Sequence, residues 1–191
     1  MPIHLDRPGT SIAHRQARAD LVARVAELVP LLRKNADQTE RDRRIPEENI
    51  TALREAGLFK LTQPKRFGGM EADFRTKLEV IRELGRGCGS TAWVASLMTG
   101  AAWFIGMCDD ALQDDVWGAD CDTRIAGVTA IAGSAESVRD GYRVSGRWRY
   151  RSGSLHAHWL FLGASIPDHN GNSGEPGLVV VPIADVDIED T

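Results

Sequence analysis

The sequence predicts an α+β protein, helical first and strand-rich second. Apolar residues recur every three or four positions through the first part of the chain. From Thr123 onward they gather into short alternating runs, bounded by Gly, Pro, Asn and Asp. These two textures meet near Asp120, so the expected division is a helical domain over 1–120 and a β domain over 121–191.

The helical elements follow in order. Ser11 is placed to cap a first helix, whose positions Leu21, Val25, Leu28, Leu31 and Leu32 share one face. The charge run from Asp37 to Arg44 reads as a solvated loop or helix end. Pro46 opens another helix with Glu47 and Glu48 in its first turn, and Gly57 stops it. Pro64 and Gly68-Gly69 mark a loop over 61–73, and a helix is expected over 74–84. Ser90 or Thr91 then caps a helix over 92–107 that is apolar on nearly every face, which predicts burial on all sides. A short amphipathic helix over 110–117 closes this part.

Strands are expected over 125–131, 138–150, 159–166 and 178–186, with the richest turn between Asp168 and Gly177. So few strands leave an open edge and an uncovered face unless other chain or a partner covers them.

Composition excludes several classes of function. A chain of 191 residues with 42% apolar content supports a real core. Its net charge of -4 comes from 23 basic and 27 acidic residues that are mixed along the chain, which is no footprint for nucleic acid. The 3 cysteines, Cys88, Cys108 and Cys121, include no Cys-x-x-Cys pair, so neither a disulfide framework nor a zinc site is expected, and the cytoplasm is the default compartment. No apolar run approaches the roughly 20 residues of a membrane span.

The stretch richest in chemistry runs from Gly141 to Gly163. Tyr142, Val144, Trp148 and Tyr150 fall at even spacing opposite Arg143, Arg147, Arg149 and Arg151, and the alternation breaks at Ser152-Gly153-Ser154. Small hydroxyl residues at such a break let donors approach a flat polar ligand. A plain surface turn closing a hairpin is the alternative.

Other patterns point to less. Gly85-Arg-Gly-Cys-Gly89 follows a helical pattern and lacks the spacing of a dinucleotide loop. His156 and His158 would share one strand face, but no spacing signals a third ligand, so no metal site is expected. There is no Gly-x-Ser-x-Gly elbow.

Four motifs in order resemble the acyl-CoA dehydrogenase superfamily, within it the flavin-dependent aromatic hydroxylase branch. They are Gly57-Leu-Phe-Lys-Leu-Thr-Gln-Pro-Lys-Arg-Phe-Gly-Gly69, Gly89-Ser-Thr-Ala-Trp-Val94, Asp140-Gly-Tyr-Arg-Val-Ser-Gly-Arg-Trp148 and Ser152-Gly-Ser-Leu-His-Ala-His-Trp159. The resemblance implies a helical domain, then a small antiparallel β-barrel-like domain, then a C-terminal four-helix domain that this sequence lacks. It also implies bound FMN or FAD, taken reduced from a separate flavin reductase, an aromatic or polycyclic substrate and a homo-oligomer.

Residue by residue, Ser152 matches the hydroxyl facing flavin N5 and is the candidate catalytic residue. Ser134, in Ala132-Gly-Ser-Ala135, matches the position that meets flavin phosphate or nearby substrate groups, Gly133 beside it is a further cofactor-binding candidate, and Thr129, Trp93 and Trp148 match the walls of the same cleft. Thr129-Ala-Ile-Ala-Gly-Ser-Ala-Glu136 lacks the Glu-Pro of the dehydrogenases, which favours a monooxygenase over an acyl-CoA dehydrogenase with bound FAD. Ala101 occupies the position where many hydroxylases carry a phenol-contacting His. A truncated, non-catalytic binding or assembly subunit is the expectation from a second class.

Overall fold

The structure, a computed structural model, describes residues 12–139, 141–167 and 174–189. Ser11, Asp140 and the turn residues 168–173 lie outside them. Two compact units divide the chain, and they do not follow the helix-to-strand switch.

The first unit, Met1–Leu58 with Ala72–Trp93, contains α1 (Ile12–Ala26), α2 (Val29–Lys34), α3 (Ala36–Asp42), α4 (Glu47–Glu55), α5 (Phe74–Gly85) and the start of α6 (Gly89–Ile105). The single helix expected through Leu32 is two. Pro30 has no N–H to continue the ladder of α1, and it sits instead in the first turn of α2. The charge run expected as a loop or helix end forms α3, anchored by the buried Thr39, whose hydroxyl donates to the Asn35 carbonyl at 2.9 Å. Its end is set by Arg43 at φ 49. Pro46 and Gly57 bound α4 as expected, Gly57 taking φ 76 just after the C-cap.

A buried polar chain ties these helices together. Asn35 Nδ2 donates to Asn49 Oδ1 at 2.8 Å, and Asn49 Nδ2 donates to Thr91 Oγ1 at 3.3 Å. Each amide is satisfied, as burial requires. The amide of Thr91 donates to Cys88 Sγ at 3.4 Å, so sulfur takes the place expected for Ser90 or Thr91 in capping α6. A Cβ on Gly87 would stand 2.8 Å from Leu32 Cβ, which gives the glycine-rich stretch a packing reason.

The second unit, Phe59–Glu71 with Val94–Thr191, holds the rest of α6, α7 (Asp110–Trp117) and four strands. Its core gathers Ala101, Ala102, Ile105, Val116, Trp117 and Ile125, flanked by the Phe104–Phe161 and Phe67–Trp117 ring pairs. Burial on α6 takes in Thr91, Ala92, Ala95, Met98, Thr99, Ala101, Ala102 and Ile105, while Trp93 and Trp103 are 60% and 38% exposed. The helix expected to be buried all round therefore keeps an open face. Its small residues let the packed side come close, and that leaves the indoles outside. No helix among the described residues is long and apolar enough to cross a membrane.

The strands β1 (Ile125–Val138), β2 (Gly141–Gly146), β3 (Trp159–Ile166) and β4 (Glu175–Pro182) form one sheet in the order β2-β1-β3-β4. β1 pairs antiparallel with β2 and parallel with β3, while β3 and β4 are antiparallel. The expected antiparallel barrel is thus a mixed, open sheet. Residues 147–158 cross over from β2 to β3 and impose the parallel pair. β1 runs on to Val138, which pairs with Gly141 at the start of β2, so what had read as one strand over 138–150 is divided between the two. Register shifts between Val128, Ile131 and Ser134 bulge β1 at mid-length.

Asp73 shows how one carboxylate can hold two helices. It accepts from the Thr76 amide at 2.7 Å as the N-cap of α5 and faces Arg18 of α1 at 3.4 Å, while Arg18 Nε donates to Thr76 Oγ1 at 3.1 Å. Burial works against its charge, yet the Thr76 amide and hydroxyl and the Arg18 guanidinium together hold its pKa below the ordinary carboxylate value. A depressed pKa contributes stability above the unfolded pKa that is lost as pH falls through the folded one. Asp73→Ala should therefore cost about 1 kcal/mol at neutral pH, and urea melts should show the penalty fading in acid below about pH 4.

Candidate functional site

The site is built on the crossover 147–158. Trp148 fixes its start: the indole N–H donates to the Gly163 carbonyl on β3 at 2.7 Å, and the ring lies over Gly133 and Gly146. A Cβ on Gly133 would meet Trp148 Cζ2 at 2.3 Å, and one on Gly146 would meet Cη2 at 2.8 Å. Gly133 and Gly146 face each other across β1 and β2, so the two glycines form the seat of one indole. Arg147 continues along β1 by donating its amide to the Ala132 carbonyl at 3.3 Å.

Beyond Trp148 the chain turns sharply. Tyr150 has φ 58 with its side chain 91% exposed, and Gly153 has φ 91. A Cβ on Gly153 would lie 3.2 Å from Val94 Cγ1 and 3.3 Å from Met98 Cγ, so the Ser152-Gly153 turn rests on α6. The turn then closes as a single 3-10 turn, Ser154–His156, with the Ser154 amide donating to the Arg151 carbonyl and the His156 amide to the Gly153 carbonyl, each at 3.0 Å. Arg124 Nε donates to the His156 carbonyl at 2.7 Å, while the Arg124 guanidinium lies over the Phe59 ring.

Half-buried Ser152 lines a groove of about 980 Å³ together with Trp148, Tyr150, Arg149 and Arg151, and the apolar Leu160 and Leu162 also line it.

The other expected residues divide. Gly133 and Trp148 are in direct contact. Thr129 is exposed on the bulge of β1, where its carbonyl crowds Gly163: a Cβ there would lie 2.5 Å from it. Ser134 is exposed, pairs with Ser145 and Ser165, and by strand alternation projects from the face opposite Trp148 and Ala135. Neither Thr129 nor Ser134 lines the groove. Trp93 belongs to the other compact unit. Ala101 is buried in the helical core and offers no polar group.

The two histidines do not share a strand face. His156 is buried in the 3-10 turn, whereas His158 Nδ1 accepts from the Arg124 amide at 3.0 Å. Burial first, and then the Arg124 charge, lowers the His158 pKa, favouring the neutral ring. Among the described residues no group of three potential ligands could hold a metal ion.

The family model described as the acyl-CoA dehydrogenase N-terminal domain matches residues 13–115. The chain is 36% identical over 188 residues to the FADH(2)-dependent resorcinol hydroxylase oxygenase component of a Rhizobium species, covering 98% of this chain and 45% of that protein. The crystal structure of the HsaA monooxygenase from Mycobacterium tuberculosis superposes with a TM-score of 0.86 at 35% identity, covering 91% of this chain and 47% of that one. XiaF from a Streptomyces species, in complex with FADH2 and glycerol, gives a TM-score of 0.88 at 34% identity over 94% of this chain and 45% of that chain. The chain spans about half the length of the curated relatives it matches.

The indole seat yields a direct test. Gly133→Ala should displace Trp148 and cost about 1–3 kcal/mol in denaturant melts. Trp148→Phe removes the bond to Gly163 and should cost about 1 kcal/mol, and the two losses should combine less than additively because one contact is counted in both. From its helical sequence match, its superposition and its motif order, the chain belongs to the acyl-CoA dehydrogenase family, by its N-terminal domain.

Proposed function

We propose that this chain contributes the flavin-binding face of an oxygenase component that hydroxylates an aromatic or polycyclic substrate. Reduced FMN or FAD would come from a separate flavin reductase, and the working enzyme would be a cytoplasmic homo-oligomer with domains divided near residue 120. The observation that carries the proposal is Ser152: a hydroxyl in a groove, on a left-handed turn that rests against the apolar helix α6.

The residues present suit such a cofactor. The groove is of ligand size, mixes apolar and polar walls, and offers a hydroxyl able to donate or accept. Ser152 would hold a proton or lone pair at the N5 edge of the ring. Trp148 would act as a positioning residue, keeping the turn in register through Gly163, with Gly133 on β1 as the seat of its ring. Leu160 and Leu162 would keep water away from the reacting face. The bound reduced flavin would supply the electrons by which dioxygen is divided between the aromatic ring and water. The protein's own contribution is then binding, orientation and exclusion of solvent.

Purified protein should bind reduced flavin and consume oxygen only when a reductase and an aromatic substrate are both supplied. Ser152→Ala should weaken flavin affinity about 5-fold, the value of one lost hydrogen bond, in a fluorescence titration. Absence of flavin affinity in the unaltered protein, or dye reduction driven by an acyl-CoA, would sink the proposal.

A further inference from the structure

Arg124, the residue before β1, gives its amide, its carbonyl and its guanidinium to one short stretch, His156 to Trp159. The carbonyl accepts from the His158 and Trp159 amides at 2.8 and 3.2 Å, and Nε donates to the His156 carbonyl at 2.7 Å. In return, His158 Nδ1 accepts from the Arg124 amide at 3.0 Å. Ile125 and Trp159, the next residues along, form the first rung of the parallel β1–β3 ladder. These bonds therefore close the far end of the crossover that carries Ser152, as Trp148 closes the near end.

One of them is conditional on a proton. A ring nitrogen that accepts carries no hydrogen, so the bond at Nδ1 requires the neutral ring with its proton on Nε2. Nε2 in turn lies 3.5 Å from Arg124 Nη2. An imidazolium in this place would set a second N–H against the Arg124 amide and a positive ring against a guanidinium. Both contacts are repulsive. The outer side of His158 is open to water, so a charged ring has somewhere to go.

We infer that Arg124 and His158 form a positioning latch at the end of the Ser152 crossover, closed by the neutral imidazole and opened by its protonation. Its geometry stands by itself, and its bearing on a ligand rests on the proposed function of the groove.

The surrounding charges agree with it. Asp120, just before β1, favours the charged ring, but burial and the Arg124 guanidinium outweigh it and lower the His158 pKa. Asp122, nearby in the same turn, is held by Lys60 at 2.6 Å, and Asp185, in the turn after β4, lines the groove. That turn meets His158 through the backbone, the Ile183 amide donating to the His158 carbonyl at 2.8 Å. His156, the other titratable residue at this end, meets Arg124 through its carbonyl. Because the folded ring prefers to be neutral, the latch holds in full above the ordinary histidine value of 6.5 and weakens as pH falls below it. The bond to the His156 carbonyl survives opening, so the crossover loosens at its end without leaving the sheet.

Amide exchange at Arg124 reads the latch directly, since that N–H makes the bond in question. Corrected for intrinsic exchange, its protection in the purified protein should fall about fivefold between about pH 7.5 and about pH 5, the worth of one hydrogen bond. His158→Asn and His158→Ala take up no proton there and should lose this step, with Ala, which has no acceptor, below Asn. Ring nitrogen chemical shifts give a second readout without a variant: near neutral pH, Nδ1 of His158 should be the nitrogen without hydrogen. Protection that ignores pH in the unaltered protein, a step that persists in both variants, or a proton on Nδ1 near neutrality overturns the latch. No flavin enters these measurements, so a latch that opens in acid on a protein that binds no flavin faults the proposed function alone.

Discussion

A single indole holds the sheet and the crossover together. Trp148 spends its N–H on the carbonyl of Gly163 and lays its ring on Gly133 and Gly146, so three strands meet at one side chain. The glycines are what its size demands, since any Cβ at either position would enter the ring. Because Trp148 is fixed, the turn four residues later is fixed too, and with it the hydroxyl of Ser152.

Much of this was legible in the sequence, and the reasons are local. Pro46 and Gly57 bound α4 through fixed and positive φ, which no packing overrides. The break at Ser152-Gly153 was visible as an interrupted alternation. What stayed hidden depends on partners distant in the chain. A parallel β1–β3 pair cannot be read from strand-like runs, because alternation is the same for either direction. The charge run over 37–44 looked solvated because only Thr39 in it is buried. Gly133 stood out only as a cofactor-binding candidate, and its contact with an indole fifteen residues away could not be read from local pattern. Arg149 and Arg151 read only as a polar face, although spacing by two was the signal for their place at the groove.

The helix α6 shows how composition misleads about burial. Its sequence has no charged side, yet the packed side is made largely of alanine and threonine. Close approach needs small residues, and the bulky ones are left to the other side. The family model lies over this helical part, while the Ser152 groove lies in the crossover beyond it.

The crossover has a consequence for the order in which the molecule assembles. β1 and β2 are neighbours in the chain, pair antiparallel and can do so early, but β1 meets β3 only after the intervening twenty or so residues have closed a loop. Since that loop is the one carrying Ser152, the hydroxyl reaches its final position late, once non-local pairing is complete. A nascent chain would therefore hold a finished hairpin well before it held anything able to receive a ring.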